Sequence, residues 1–257
     1  MLDDLLKHLD AFLLVFLRMT AFLFSAPLFN SRTVPTIARL GLAFFLALVL
    51  FYPLHASFKL PSLSPLSFGA YALKEFLTGL AMGFSVSMVF SAFQLAGTIY
   101  GYQMGFGIIS VLDPEAGVSV SLTGQLKFLL GVFLFLETNC HHYLLMALFD
   151  SFKLISLGGA KFTSGLTKEV VSIFGGMFLI AIQIALPIIA VLLIIDISLG
   201  IIGRTIPQLN IFVIGFPLKI AVAFLTLMFI LPALKTFMEG VLGGLVKNLE
   251  EVIVQLK

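Results

Sequence analysis

Apolar residues along this chain come in long blocks rather than in alternation with polar ones. Six apolar segments stand out: residues 11–29, 40–58, 66–100, 126–149, 170–202 and 211–234. Turn-rich stretches lie between most of them: NSRTVPTIAR with Pro35, KLPSLSPLS with Pro61 and Pro65, SLGGAKFTSGLTKE, and the short reversal GRTIPQLN. Apolar runs of roughly 18 residues or more with few charges are membrane-helix candidates. The pattern therefore predicts an all-α membrane protein with about six apolar helical segments.

Two of these segments are too long for a simple span. The third and fifth each run beyond thirty residues. As helix they would reach roughly 50 Å at 1.5 Å per residue, against a hydrocarbon core of about 30 Å. Tilt alone accommodates that poorly. Either they break, with Pro187 as the candidate kink in the fifth, or they extend into protein outside the bilayer. The tail VKNLEEVIVQLK alternates charged and apolar residues at helical spacing. It predicts an amphipathic helix lying on the membrane or on a partner.

Composition strengthens the membrane reading. Of 257 residues, 60% are hydrophobic and 11% charged, and the mean hydropathy is +1.14. Soluble domains carry about 25% charged residues. This chain could not cover its apolar surface in water, so lipid or partner subunits must do so. A formal charge of +2 gives no ground for nucleic acid as a partner. A lone cysteine, Cys140, allows no intrachain disulfide. The start MLDDLLKHLD is acidic, unlike the basic start of a cleaved signal peptide, so the first helix is expected to be retained. With no Trp, any interfacial aromatic belt falls to Tyr and Phe. Counting Lys and Arg on alternate sides of six spans places both termini in the cytoplasm.

Candidate chemistry is sparse. ETNCHHY groups Glu137, Cys140, His141 and His142, and on a continuous helix Glu137 and His141 would share a face. These are metal-ligand types, but no H-E-x-x-H motif is present. A polar helix end at the interface is the simpler expectation. Arg18, Glu75, Asp196 and Lys219 lie inside apolar segments. A centred charge costs roughly 2.5–3.5 kcal/mol on insertion scales, so each must face protein or water. Asp196 and Lys219 lie at similar distances from the reversal near Ile206. An antiparallel hairpin would bring them level, as a pair fixing register or, less simply, as a relay for ions. Gly79 and Gly83, and Gly97, Gly101 and Gly105, recur every four residues, a spacing that lets helices approach closely. No phosphate-binding loop and no nucleophile–base pair is visible, so no enzyme is expected and no cofactor is implied.

The stretch GYQMGFGIISVLDPEAGVSVS, residues 101–121, is Gly-rich and nearly uncharged between two apolar blocks. Irregular backbone at membrane depth is tolerated only where protein buries it or water lines it.

Three stretches carry a wider resemblance. The first is FLRMTAFLFSAPLFNSRTVPTIARLGLAFFLALVLFYPL, with Arg18, Pro27, Pro35, Arg39 and Pro53. The second runs from GYQMGFGIISVLDPEAGVSVS through LTGQLKFLLGVFLFLETNCHHYLLMALFDSF. The third is LLIIDISLGIIGRTIPQLNIFVIGFPLKI, with Arg204, Pro207, Gln208, Asn210, Gly215, Pro217 and Lys219. Together they resemble the FliR family of the bacterial flagellar export apparatus, whose injectisome counterpart is SctT. Cys140, where that family often has Gly, and the missing proline in SLGGAKF are small departures.

The resemblance implies a FliP-like part, residues 1–169, joined to a FliQ-like hairpin and tail, residues 170–257. It implies a non-enzymatic, pore-forming subunit of the type III export gate (FliPQR complex) in the bacterial inner membrane, within the flagellar basal body. Partners would be FliP-like and FliQ-like subunits, FlhB-like and FlhA-like components, membrane lipid, and unfolded proteins in transit. Gly105, Phe106, Gly107, Ile108, Ile109, Val111, Leu112, Asp113, Pro114 and Gly117 would belong to a pore plug. Arg204, Pro207, Gln208 and Asn210 would form a hairpin turn facing the cytoplasm and a partner. That orientation opposes the Lys and Arg count. A subunit raised out of the bilayer need not follow a rule for ordinary spans. A secondary transporter of a small solute, with Arg18, Asp196 and Lys219 at a midplane site, is the alternative.

Overall fold

The computed structural model describes residues 9–27, 34–54, 64–106, 121–206, 208 and 210–257, with Phe212 described by its backbone alone. The described residues form seven helices and no strand: α1 (Leu9–Ser25), α2 (Thr36–Leu54), α3 (Pro65–Gln103), α4 (Leu122–Glu137), α5 (Cys140–Leu154), α6 (Ser164–Thr205) and α7 (Ile211–Leu256). The protein is all-α and built for a membrane. Four helices are long and apolar enough to cross one, or five if α4 and α5 count as a single broken span. Helix α1 has only 17 described residues.

The long segments do not break. α3 has 39 residues, α6 has 42 and α7 has 46, about 58, 63 and 69 Å at the usual rise. Pro187 lies inside α6, and Pro217 and Pro232 inside α7. Each proline removes one backbone hydrogen bond, yet the helix runs on. α3 starts on a proline, whose missing N–H is one the first turn leaves unbonded anyway. Ser64 Oγ accepts the Ser67 N–H at 3.3 Å as its cap.

The break falls elsewhere. The expected continuous segment 126–149 is two helices, separated at Thr138 and Asn139. Asn139 has φ 55°, the left-handed conformation, which Asn tolerates better than most residues. Glu137 ends α4 and His141 lies in α5, so the expected shared helix face of Glu137 and His141 does not exist.

The chain divides into two compact units, each assembled from separate stretches. The first comprises Met1–Val89, Asn139–Phe174 and Leu242–Lys257. Within it α1 packs on α2 through edge-to-face rings, Phe12 on Phe44 and Phe51 with centroids 5.6 and 5.7 Å apart. Gly79 and Gly83 of α3 lie against the backbone of α1. A Cβ at 79 would strike the Arg18 carbonyl oxygen, and one at 83 the Phe22 carbonyl and the Ser25 hydroxyl.

The tail is helical as expected, as the last stretch of α7, but what covers it differs from the membrane or partner expected. Leu245, Leu249, Val252, Ile253 and Leu256 are buried within this unit, and the Lys161 N–H donates to the Leu256 carbonyl at 2.9 Å. Its apolar face is thus covered by its own chain.

The second unit comprises Phe90–Thr138 and Gly175–Val241. Here the end of α3 packs on α4. Cβ atoms at Gly97 and Gly101 would strike Thr123, one at Gly124 the Gln94 carbonyl, and one at Gly131 the Phe93 ring. Thr123 Oγ1 donates to the Gly97 carbonyl at 2.7 Å. Phe90 packs on Phe93, Phe128 and Phe135. α6 and α7 form an antiparallel hairpin, with Lys219 paired to Asp196 and Ile211 against Gly203, and Ala181, Ile184, Ala185, Ile188, Leu192 and Ala223 are buried. Most of its surface is open. In the apolar window of each helix, 28% is buried in α6 and 17% in α7, against 56% in α3. Some other apolar surface, lipid or protein, has to cover the hairpin.

Candidate functional site

The chemistry of the second unit gathers where α3 ends beside the hairpin. Gln103 is the last helical residue. Past it, the Gly105 N–H donates to the Tyr102 carbonyl at 3.0 Å and the Phe106 N–H to the Gly101 carbonyl at 3.1 Å. With Gly105 at φ 97°, this is the Schellman ending of a helix, which needs a left-handed residue and so favours Gly. Gly105 therefore does not continue the packing stripe of Gly97 and Gly101. The edge of the Phe216 ring, from α7, fills the space that a side chain at 105 would need.

Gln103 also reaches the hairpin. Its Nε2 donates to Asp196 Oδ2 at 2.9 Å. Asp196 Oδ1 is ion-paired with Lys219 Nζ. Three helices thus meet at one carboxylate: α3 gives the amide, α6 the acid, α7 the ammonium. Asp196, Gly200, Phe216 and Lys219 also border a cavity of about 250 Å³. The pair is partly open, with side-chain exposures of 33% for Asp196 and 16% for Lys219.

Of the residues expected in the plug, Gly105 and Phe106 sit at this helix end. Gly107, Ile108, Ile109, Val111, Leu112, Asp113, Pro114 and Gly117 lie outside the described residues. Of the turn residues, Arg204, Gln208 and Asn210 are exposed and Pro207 lies outside the described residues. α6 stops at Thr205, and the Asn210 carbonyl accepts the Val213 N–H at 3.1 Å as α7 begins. The reversal is tight: a Cβ at Gly203 would strike Ile211.

Arg18 belongs to a different cluster, within the first unit. Its Nε and Nη2 bind Glu75 Oε2 and Oε1 at 2.6 and 3.0 Å, the bidentate geometry in which Arg holds a carboxylate most firmly. Nη1 donates to Ser151 Oγ at 3.1 Å, and the guanidinium lies 4.2 Å from the Phe152 ring centroid. Glu75 Oε1 also accepts the Gly158 N–H at 2.8 Å, while Lys74 Nζ donates to the Gly158 carbonyl at 3.1 Å. The cluster ties α1, α3, α5 and the loop after α5 together, and neither charged side chain of the pair touches solvent.

ETNCHHY forms no metal cluster among the described residues. Glu137 instead pairs with Lys235 at 3.1 Å, and the His141 and His142 rings lie with centroids 4.2 Å apart and planes tilted by 38°.

The sequence reading missed Gln103, Phe216 and the partnership of Arg18 with Glu75. Gln103 lies in GYQMGFGIISVLDPEAGVSVS, the start of the second stretch that carries the resemblance, its one trace. It also missed Lys127 of α4, which is buried and whose Nζ has no hydrogen-bond partner among the described residues.

Comparison with known proteins covers nearly the whole chain. Residues 9–245 match the family model of bacterial export proteins, family 1. The chain is similar to the flagellar biosynthetic protein FliR of Bacillus subtilis, 37% identical over 98% of each chain. It is similar to that of Escherichia coli, 31% identical over 99% of this chain and 97% of the relative. To that of Aquifex aeolicus it is 28% identical over 98% and 96%.

Proposed function

The chain belongs to the bacterial export proteins, family 1, and from that premise we propose that it is a pore-forming subunit of the flagellar type III export gate. Membership in the flagellar export apparatus follows from relatives that match it end to end and carry that role in their names. Helices of membrane-spanning length make it a membrane-embedded component. The finer reading is ours. The chain lines a channel for unfolded protein in the inner membrane beside FliP-like and FliQ-like subunits, with FlhB-like and FlhA-like components at its cytoplasmic side. It does no covalent chemistry, and the segment after Phe106 closes the channel at rest.

The observation that carries this reading is helix length set against cover. Helices of 42 and 46 residues exceed a bilayer by about twofold, and their apolar faces are mostly open. Lipid alone cannot cover such helices from end to end, and neighbouring subunits can. The solute-transporter alternative is less well supported. Arg18 has its guanidinium committed to Glu75, Ser151 and the Phe152 ring, which leaves it little with which to bind a solute.

Deletion of residues 111–118 tests the plug. The complex should still assemble and co-purify, while inner-membrane vesicles carrying it should leak ions well above the parent. Unchanged conductance in an assembled complex would remove the plug role.

A further inference from the structure

We propose that Gln103, held by the Asp196–Lys219 pair, is the residue that positions the chain leaving α3, so that the hairpin sets where the following segment starts. The proposal rests on the pore reading above and adds to it the contact through which α6 and α7 act.

Three observations converge on this helix end. The Schellman turn at Gly105 fixes the direction in which the chain departs. Phe216 of α7 occupies the one side on which Gly105 has no side chain of its own. Gln103 is tied to Asp196, which is in turn tied to Lys219. An amide-to-carboxylate hydrogen bond is charge-assisted and stronger than a neutral one. The carboxylate that accepts it is oriented by a cation on the next helix. A shift of α6 against α7 would therefore move the acceptor, and the end of α3 with it. Met104 is buried and stays with the helix through its N–H bond to the Tyr100 carbonyl at 2.9 Å.

The test exchanges the groups. Gln103→Glu sets a second carboxylate against Asp196 and removes the donor. Asp196→Asn leaves Lys219 without its counter-charge. The double variant Q103E/D196N restores one amide, one carboxylate and one ammonium, with donor and acceptor swapped between α3 and α6. Two readouts are taken on the whole assembled complex in inner-membrane vesicles: ion conductance, and the rate at which a thiol reagent modifies Phe106→Cys in a Cys140→Ser background. Loss of one charge-assisted hydrogen bond corresponds to about a tenfold shift between two states. Q103E should therefore raise the modification rate and the leak about tenfold, and Q103E/D196N should return both to near the parent.

An unchanged modification rate in Q103E, or a raised rate that the double variant does not lower, overturns the proposal. If Q103E fails to assemble, Gln103→Met, of similar length and without the amide, takes its place with the same expectation. If that too fails to assemble, Gln103 serves construction rather than positioning, and the proposal falls. The plug reading is judged separately. Should the 111–118 deletion not leak while Q103E still speeds modification at 106, the positioning role stands and the plug role is lost.

Discussion

Two ion pairs divide this molecule by how much of their environment the chain itself supplies. Arg18 and Glu75 have no exposed side-chain surface, and the hydrogen bonds around them come from α1, α3, α5 and the loop at Gly158. Asp196 and Lys219 keep 33% and 16% of theirs and border a cavity. The first pair has its partners within the chain. The second sits on a hairpin whose faces are open. A closed charge cluster of this kind holds a fold in one arrangement, because any movement leaves a buried charge unpaired. An open pair can exchange partners or tolerate displacement at lower cost.

The contrast breaks first if the closed pair proves dispensable. Arg18→Leu or Glu75→Gln alone should cost about 3–5 kcal/mol, since each strands a buried partner. The protein should then largely disappear from the membrane fraction, as judged by immunoblot. Arg18→Met with Glu75→Met should recover part of that loss. Survival of either single variant at parental level would mean water reaches the cluster.

The close contacts of glycine give the next effect. Gly79→Ala drives a Cβ into the backbone of α1 and should cost about 1–3 kcal/mol. Gly175 and Gly240, on the hairpin helices, have no atom within 4 Å of a Cβ. Alanine there should stabilise the isolated chain by up to about 1 kcal/mol through helix propensity. The melting temperature in detergent checks both signs. If the same alanines lower recovery of the assembled complex, protein rather than lipid lies against those faces.

The open pair should respond more mildly. Asp196→Lys or Lys219→Asp should reduce complex yield, and the double reversal should restore it. A double variant as defective as the singles would show that the pair does not set hairpin register. For a partly exposed pair the expected coupling is about 1 kcal/mol or less.

Lys127 gives the smallest change and the sharpest exception. It is buried in the second unit, with no partner for Nζ among the described residues. Lys127→Met should leave thermal stability unchanged or raise it slightly, because the variant no longer buries an ammonium. A clear loss would mean that the ammonium is needed.

Much of the fold was open to reading in advance, and the gaps have physical causes. Runs of apolar residues marked the helices because insertion depends on summed hydropathy, a local quantity. The break at Asn139 carries no Gly or Pro. The polar run ETNCHH pointed to a helix end, but the apolar residues on both sides carried the segment through it, and the left-handed φ of Asn139 shows where the chain turns. The tail showed an apolar face, but amphipathicity says that a face is covered and not by what. Cover from its own chain looks the same in sequence as cover from lipid.

The two pairs make the same division. Asp196 and Lys219 flank a short reversal, and distance from a turn is a ruler for antiparallel register. Arg18 and Glu75 are 57 residues apart on helices joined by no tight hairpin. What brings them together is the approach of α1 to α3 that Gly79 and Gly83 allow. The sequence by itself determined helix content, the excess length of α3 and α6 though not that of α7, and the place where the hairpin reverses, because each depends on neighbours along the chain. Tertiary structure alone decided that Arg18 meets Glu75, what covers the tail, and that the Asp196 carboxylate on α6 also holds α3, because each depends on which helices lie side by side.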